Sequence, residues 1–182
     1  VYSGFADGHL VALSKSVGNV LWVRSLAKTA TRFVDVDTTP TLHDGVLYAS
    51  STAGGLWALD QRDGSQKWQM DVAGAGPVTV DAGRVFFAAA DAGLYALDLS
   101  GQIVWRQGMY EAGDPARPVV VGERLFLSVS ELGLYVVDKQ SGRLLQHFNP
   151  GSGISSEPTI TETRVFVFSN AGILYSLALN DV

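Results

Sequence analysis

The sequence predicts an all-β fold, namely an incomplete β-propeller of four-stranded blades. Three observations carry this prediction. A six-residue phrase, Gly-Leu-aromatic-Ala-Leu-Asp, recurs at intervals of about 40 residues. Short apolar runs and turn signals keep the same interval, so each repeat divides into four strands. No segment shows the sustained 3.6-residue apolar period of a helix. A repeat of this length with four strands is typical of a propeller blade.

The first strand of each unit follows a proline, and these prolines recur along the chain as Pro40, Pro77, Pro118 and Pro158. Asp44-Gly45 and Ala82-Gly83 predict tight turns into the second strand. The second strand is an apolar run, at residues 46–48, 85–87, 125–127 and 165–167. A strand with one face in water would alternate, so these continuous runs predict blades covered on both faces.

The third strand is the recurrent phrase, at residues 55–60, 93–98 and 133–138, with weaker copies at 8–13 and 172–177. Asp60, Asp98 and Asp138 end the three strong copies, and we expect them to form the turns that follow. One aromatic side chain per phrase is predicted to pack in the core rather than to stack on a ligand: Trp57, Tyr95, Tyr135 and Tyr175.

The fourth strand begins after a turn glycine and carries a tryptophan four residues later. This tryptophan occurs as Trp22, Trp68 and Trp105. We expect each indole to dock on the adjacent blade and to hold the two blades together. Gln146 replaces the tryptophan in the fourth unit, which predicts a weaker joint there. Residues 65–69 suggest that this outermost strand is polar apart from its aromatic ring.

The units give one partial propeller over residues 1–182, with boundaries near 1–38, 39–75, 76–116, 117–156 and 157–182. The first unit begins at its second strand, and the last ends after its third, near Leu179. The chain has no initiator methionine, so we expect it to be part of a longer protein. An open ring exposes unpaired strand edges at both ends, and we predict self-association through them.

Composition excludes several classes of protein. The 182 residues carry a net charge of −5, so the chain lacks the basic surface of a nucleic-acid-binding protein. Without cysteine there is no disulfide framework, iron–sulfur cluster or cysteine-ligated zinc site. His9, His43 and His147 lack metal-ligand spacing, and neither a nucleophile elbow nor a nucleotide-binding glycine motif is present. We therefore expect no catalytic residue, no metal and no cofactor.

A partner surface is predicted on one face of the propeller disc. The connections between blades emerge on the same face as the turns between second and third strands, and tight turns occupy the opposite face. The first connection is the longest, and it contains Arg32, Asp35 and Asp37. Loops of variable length carry binding more often than tight turns do. The two carboxylates either face a basic partner, or cap the following turn, or hold a cation, and these alternatives remain open.

The repeat resembles that of the pyrroloquinoline-quinone (PQQ) enzyme propellers. A narrower resemblance rests on Asp35-Val36-Asp37-Thr38-Thr39-Pro40, preceded by Arg32 and followed by a Gly-Val-Leu-Tyr strand and Leu-Trp-Ala-Leu-Asp. This string and the terminal Gly-Ile-Leu-Tyr-Ser-Leu are similar to the lipoprotein B family of the bacterial outer-membrane β-barrel assembly machinery. The resemblance implies an eight-bladed parent, of which this chain supplies about four to five blades. The family's anchor is an N-terminal acylated cysteine, which would lie upstream of Val1.

Two functions remain open. The family resemblance implies a non-catalytic periplasmic scaffold at the outer membrane, with the central barrel-assembly subunit as its partner. Unfolded outer-membrane clients could in addition pair with blade edges by strand addition. The alternative is a fragment of a PQQ-dependent dehydrogenase, which would need calcium held by carboxylate and amide oxygens.

Overall fold

The computed structural model describes residues 1–27, 35–36, 38–90, 92–108 and 113–179. In this part of the chain every named element is a β-strand, and the strands form five antiparallel sheets. The predicted all-β fold is therefore confirmed. The strands in chain order are β1 (Tyr2–Gly4), β2 (His9–Leu13), β3 (Val20–Ser25), β4 (Thr41–His43), β5 (Val46–Ser51), β6 (Gly55–Asp60), β7 (Gln66–Met70), β8 (Thr79–Asp81), β9 (Arg84–Ala89), β10 (Gly93–Asp98), β11 (Ile103–Gln107), β12 (Val119–Val121), β13 (Arg124–Val129), β14 (Gly133–Asp138), β15 (Leu144–Phe148), β16 (Thr159–Ile160), β17 (Arg164–Phe168) and β18 (Leu174–Ala178).

Each sheet is one blade, and its strands follow chain order. Blades 2, 3 and 4 have four strands each, β4–β7, β8–β11 and β12–β15. Blade 1 is β1–β3 and blade 5 is β16–β18. By the recurrent phrase, blade 1 corresponds to the second to fourth strands of a unit and blade 5 to the first to third. The described strands β1 and β18 belong to separate sheets. Self-association through these edges stays a prediction.

The first strands of the blades lie on the inner side of the propeller. Strand β8 contacts both β4 and β12, which are the first strands of the two neighbouring blades. These strands are short and they approach one another, as strands beside a common axis must. The residues just before them therefore line the central end of the connections between blades.

The core lies between blades rather than inside them. Four apolar clusters each combine side chains of two consecutive blades. Between blades 2 and 3, for example, Tyr48 and Leu56 share a cluster with Val85, Phe87 and Tyr95. The second and third strands of blades 2 to 4 are buried along nearly their whole length, because both of their faces are covered.

Each of the three predicted tryptophans bridges two blades. The indole N–H groups of Trp22, Trp68 and Trp105 donate to the backbone carbonyls of Gln61, Leu99 and Lys139, at 3.2, 2.9 and 3.1 Å. Each acceptor lies in the turn before the fourth strand of the next blade.

The turn glycine of that next blade lies under the indole ring. Gly64, Gly101 and Gly142 have φ of 70°, 88° and 71°, and a Cβ atom on any of them would collide with the ring. Glycine is therefore required there for two reasons, the left-handed backbone and the close approach of the indole.

The joint between blades 4 and 5 is built differently. Here Arg124 Nη1 donates to the carbonyl of Leu179 at 3.0 Å. This carbonyl corresponds to the one that accepts from the indole in the other joints. A recess of about 390 Å³ opens beside Gln146, between Leu134 and Val136 of blade 4 and Leu177 of blade 5. The guanidinium thus replaces the hydrogen bond that an indole would make, whereas a recess remains beside Gln146 in place of the apolar ring.

The outermost strands are less polar than residues 65–69 suggest. In β3, Val20, Leu21 and Val23 are 59%, 64% and 54% exposed, and in β11 Ile103 and Val104 are exposed as well. The expectation of a polar outer strand came from residues 65–69, which belong mainly to β7, and the other outer strands do not share that pattern. The outer strand is the sheet edge, and its outward side chains are not constrained by packing against a further strand.

Candidate functional site

The predicted partner surface lies on what we call the loop face, formed by the connections between blades and the turns between second and third strands. A repeated backbone hydrogen bond builds it. The N–H groups of Thr52, Ala90, Ser130 and Asn170 donate to the carbonyls of Asp35, Gly74, Asp114 and Gly153, at 3.0, 3.1, 3.0 and 3.1 Å. Every connection is thereby pinned to the blade that follows it, at an equivalent residue.

Asp35 is held in place by backbone contacts on both sides. Thr52 donates to its carbonyl from the backbone N–H at 3.0 Å and from Oγ1 at 3.4 Å. The N–H of Val36 donates to the carbonyl of Phe5 in blade 1 at 3.1 Å, and the Val36 side chain is only 3% exposed. The backbone that carries the Asp35 side chain is therefore bonded to both flanking blades.

The other two predicted partner-binding residues, Arg32 and Asp37, lie outside the described residues. Their contacts with Asp35 are therefore not described, and the choice between a partner contact and a turn cap stays open. In the described part of the chain no group of three or more His, Asp or Glu side chains is placed to hold a metal ion. No described helix is long and apolar enough to cross a membrane.

Asp114 is a further carboxylate of the loop face that the sequence analysis did not identify. Its carbonyl accepts the same repeated bond as Asp35, two connections further along the chain. The signal in the sequence is its distance from the opening proline, four residues for Asp114 and five for Asp35. That signal becomes visible only when the connections are aligned from their ends, because their lengths differ.

A recess of about 530 Å³ lies on the loop face, bounded by three consecutive connections. The first connection contributes Thr38 and Thr39, and the third contributes Asp114. Thr52, which holds Asp35, also lines it. The wall is therefore made of hydroxyl groups, glycine backbone, one carboxylate and the apolar side chains of Ala75, Pro77 and Pro115.

Charge is distributed unevenly between the two faces. Among the described residues, the loops of the loop face carry one basic side chain, Arg117, and six acidic ones: Asp7, Asp35, Asp71, Asp114, Glu131 and Glu157. On the opposite face, which we call the turn face, acidic and basic groups are interspersed and paired. Lys139 Nζ lies 3.0 Å from Asp81, and Lys67 Nζ lies 3.3 Å from Asp60.

The Asp81 carboxylate accepts a hydrogen bond from Lys139 and raises the pKa of that lysine above its ordinary value. Among the described residues, acidic and basic groups therefore balance on the turn face, whereas acidic groups outnumber basic ones in the loops of the loop face.

Comparison with known proteins places these features in a family. The family model described as outer membrane protein assembly factor BamB matches residues 1–102 and 95–181. Curated proteins of that name from Legionella pneumophila and Kangiella koreensis are 27% and 30% identical, over 99% and 97% of this chain. The chain spans about half the length of these relatives, 48% and 47%.

Solved structures agree on the fold. The crystal structure of BamB from Moraxella catarrhalis superposes with a TM-score of 0.82 at 22% identity, over 96% of this chain and 54% of that one. The computationally designed protein Ika8 superposes with a TM-score of 0.81 at 13% identity. At these identities the likeness shows the propeller fold alone. Because the family model matches nearly the entire chain, including the first connection with its acidic residues, this chain belongs to the family of outer membrane protein assembly factor BamB.

Proposed function

We propose that this chain is part of a non-catalytic scaffold that assists the assembly of β-barrel proteins into the bacterial outer membrane. Its place would be the periplasm, in association with the outer membrane. The curated relatives are named outer membrane protein assembly factors, and this name supports the general role. The role requires binding and orientation of other proteins, and it requires no reaction at the propeller.

The loop face is proposed as the docking surface, and the periplasmic domains of the central barrel-assembly subunit as the partner. The observation that carries this proposal is the excess of carboxylates on the loops of that face, six against one arginine among the described residues. An excess of carboxylates favours a partner that presents Lys and Arg, and it raises the rate of encounter with that partner. The proposed contact residues are Arg32, Asp35 and Asp37 of the first connection, and Asp114 of the third connection adds to them.

The experiment is a binding measurement between the full chain and the isolated periplasmic domains of the central subunit. Charge reversal by Asp35→Arg/Asp37→Arg is expected to weaken binding about tenfold or more, and rising salt to weaken the native complex. Glu162→Arg reverses one exposed charge on the turn face and serves as the matched control, with native affinity expected. A native chain without affinity for these domains would disprove the choice of partner. A double variant that binds like Glu162→Arg would disprove the choice of surface.

Unfolded clients are a second candidate partner, because an outer strand offers them an apolar edge. Val20, Leu21 and Val23 of β3 are all more than half exposed, and an extended apolar segment can add to such an edge. The same binding format separates the two candidates. If an extended client peptide binds and Leu21→Lys/Val23→Lys abolishes its binding while Asp35→Arg/Asp37→Arg does not, the edge of β3 is the client site. Equal binding of the peptide to all variants would rule that edge out.

A further inference from the structure

Arg117 connects four blades at the central end of the loop face. It directly precedes the proline that opens blade 4. Its Nη1 donates to the carbonyl of Val78 in blade 3 and to Oγ1 of Thr41 in blade 2, each at 2.8 Å. Its Nη2 donates to the carbonyl of Thr39 at 3.2 Å, and its Nε lies 3.9 Å from the Glu157 carboxylate, just before blade 5.

Only a guanidinium fits this set of partners. Its donors point outward in a rigid planar fork, so that acceptors on several sides can be reached at once. A lysine ammonium is a point charge on a flexible stem and cannot span them. The Arg117 side chain is only 25% exposed, so its charged hydrogen bonds are partly shielded from water. Because most of its donors are occupied, Arg117 is not a vacant site for an anion.

The bond to Thr39 acts on the connection that carries the proposed partner-binding residues. Thr38 and Thr39 lie between two recesses, of about 530 Å³ toward blade 3 and about 230 Å³ toward blade 1. Few side chains therefore pack against this end of the connection. The Asp35 end is fixed by Thr52, and at the other end Arg117 binds the Thr39 carbonyl.

We propose that Arg117 is a positioning residue for the loop-face site. By holding the carbonyl of Thr39, it fixes the end of the connection opposite to Asp35 and so limits the orientations that Asp35 can adopt. Arg117 does this from the third connection, 78 residues away in sequence from its acceptor. The significance for partner binding rests on the proposed function, but the restraint on the connection does not.

The test combines hydrogen exchange with binding, both in the full chain. Arg117→Gln removes the charge and the fork, Arg117→Lys keeps the charge and removes the fork, and Arg124→Gln is the matched control. Arg124 also bridges two blades, but its guanidinium donates to the carbonyl of Leu179 in blade 5. The amides of Val36 and Thr52 report on the connection. The amide of Asn170, which makes the equivalent bond to Gly153 before blade 5, reports on the rest of the loop face.

In both Arg117 variants the Val36 and Thr52 amides are expected to exchange about tenfold faster, while Asn170 keeps its native rate. Arg124→Gln is expected to leave Val36 and Thr52 unchanged. The proposal is overturned if Val36 and Thr52 keep native rates in Arg117→Gln, if Arg117→Lys restores them, or if all three amides accelerate together. In the Arg117 variants whose Val36 and Thr52 amides lose protection, the affinity for the central subunit's periplasmic domains should fall as well. If the native chain does not bind those domains, the proposed function fails, and the exchange rates still decide the role of Arg117.

Discussion

The aspartates that end the third strands organise the turns that follow them. Asp98 accepts hydrogen bonds from the backbone N–H and the hydroxyl of Ser100, at 2.8 and 2.6 Å, and from the N–H of Gln102 at 3.0 Å. Asp138 accepts the corresponding bonds from Ser141. These hydrogen bonds hold the pKa of Asp98 below its ordinary value, because they favour the ionised form. The bond from the Ser100 hydroxyl has the largest effect, and the turn N–H groups add to it. The predicted turn-forming geometry is thus present at atomic detail.

The pKa of Asp98 has a consequence for stability in acid. A carboxyl whose pKa is lowered by folding contributes stability above its ordinary pKa, near about 4, and loses it as the pH falls through the lowered value. Asp98→Asn should therefore lower the midpoint of urea unfolding at neutral pH. Between neutral and acidic pH, the midpoint of this variant should fall less than that of the native chain. Urea titrations at about pH 7, 4 and 2.5 measure both effects. Glu162→Gln removes another carboxyl on the same face and is the matched control. If the acid profile of Asp98→Asn does not differ from that of the native chain, the prediction is refuted.

Individual strands are joined into a propeller by the docking of each fourth strand on the next blade. The indole contributes apolar area, ring contact with a glycine and one hydrogen bond. Within its own blade, Trp68 also packs against Tyr48, with ring centroids 5.8 Å apart. In the blade 4/5 joint, Arg124 restores the hydrogen bond but not the ring. We therefore still expect the joint between blades 4 and 5 to be weaker than the other three.

Removing one of these indole rings measures how much it contributes to the free energy of unfolding. Trp68→Ala is expected to lower the free energy of unfolding by about 3 kcal/mol, since a half-buried ring falls at the lower end of the range for buried aromatics. Trp68→Phe is the matched control, because it retains one aromatic ring and loses the bond to the Leu99 carbonyl together with part of the indole's apolar area. Its expected cost is about 1 kcal/mol. Denaturant unfolding gives both values, and equal costs would mean that the ring itself contributes nothing.

At the scale of elements, the sequence specifies most of the fold because the repeat constrains it several times over. Glycine, aromatic and aspartate positions agree from blade to blade, and the four strands per unit follow from them. The β-bulges, by contrast, could not be predicted from the repeat. A β-bulge interrupts the pairing of third and fourth strands at equivalent places, between Ala58 and Leu59 in blade 2 and between Ala96 and Leu97 in blade 3. The extra residue lies in the fourth strand and is Lys67 in blade 2 but Val104 in blade 3, so no shared residue type marks the bulge in the sequence.

The candidate site was less accessible from the sequence. Asp35 could be selected because it lies in the longest connection within a recognisable string. Asp114 and Arg117 could not, because their significance depends on which connections the ring brings together. Arg117 reaches Thr39 across blade 3, and pairing at such a separation follows from the geometry of the ring rather than from any local pattern.

Burial across the whole molecule is uneven. In blade 3 the second and third strands are buried on nearly every residue, while in blade 5 the ends of β17 and much of β18 are exposed. In an array whose units contact only their neighbours, stability follows the number and quality of the joints. Blade 5 combines exposed strands with the joint that lacks an indole.

We therefore expect local opening to concentrate in blade 5. Amides in the β17–β18 pair should exchange at least about tenfold faster than those in β9–β10, since local unfolding requires less energy where fewer apolar contacts are broken. Residue-resolved hydrogen exchange under native conditions provides the comparison within one sample, with β9–β10 as the internal reference. Equal protection of the two strand pairs would show that the ring opens as a single cooperative unit.

The excess of acidic over basic side chains on the loop face gives the described part of the molecule an electric dipole moment along the propeller axis. A cationic protein approaching from any direction exerts a torque that turns the acidic side toward it before the two surfaces touch. Near an anionic lipid surface the same torque turns that side away from the lipid. The disc would therefore adopt a preferred orientation beneath a membrane, with its loops facing the aqueous space, even before any specific contact has formed.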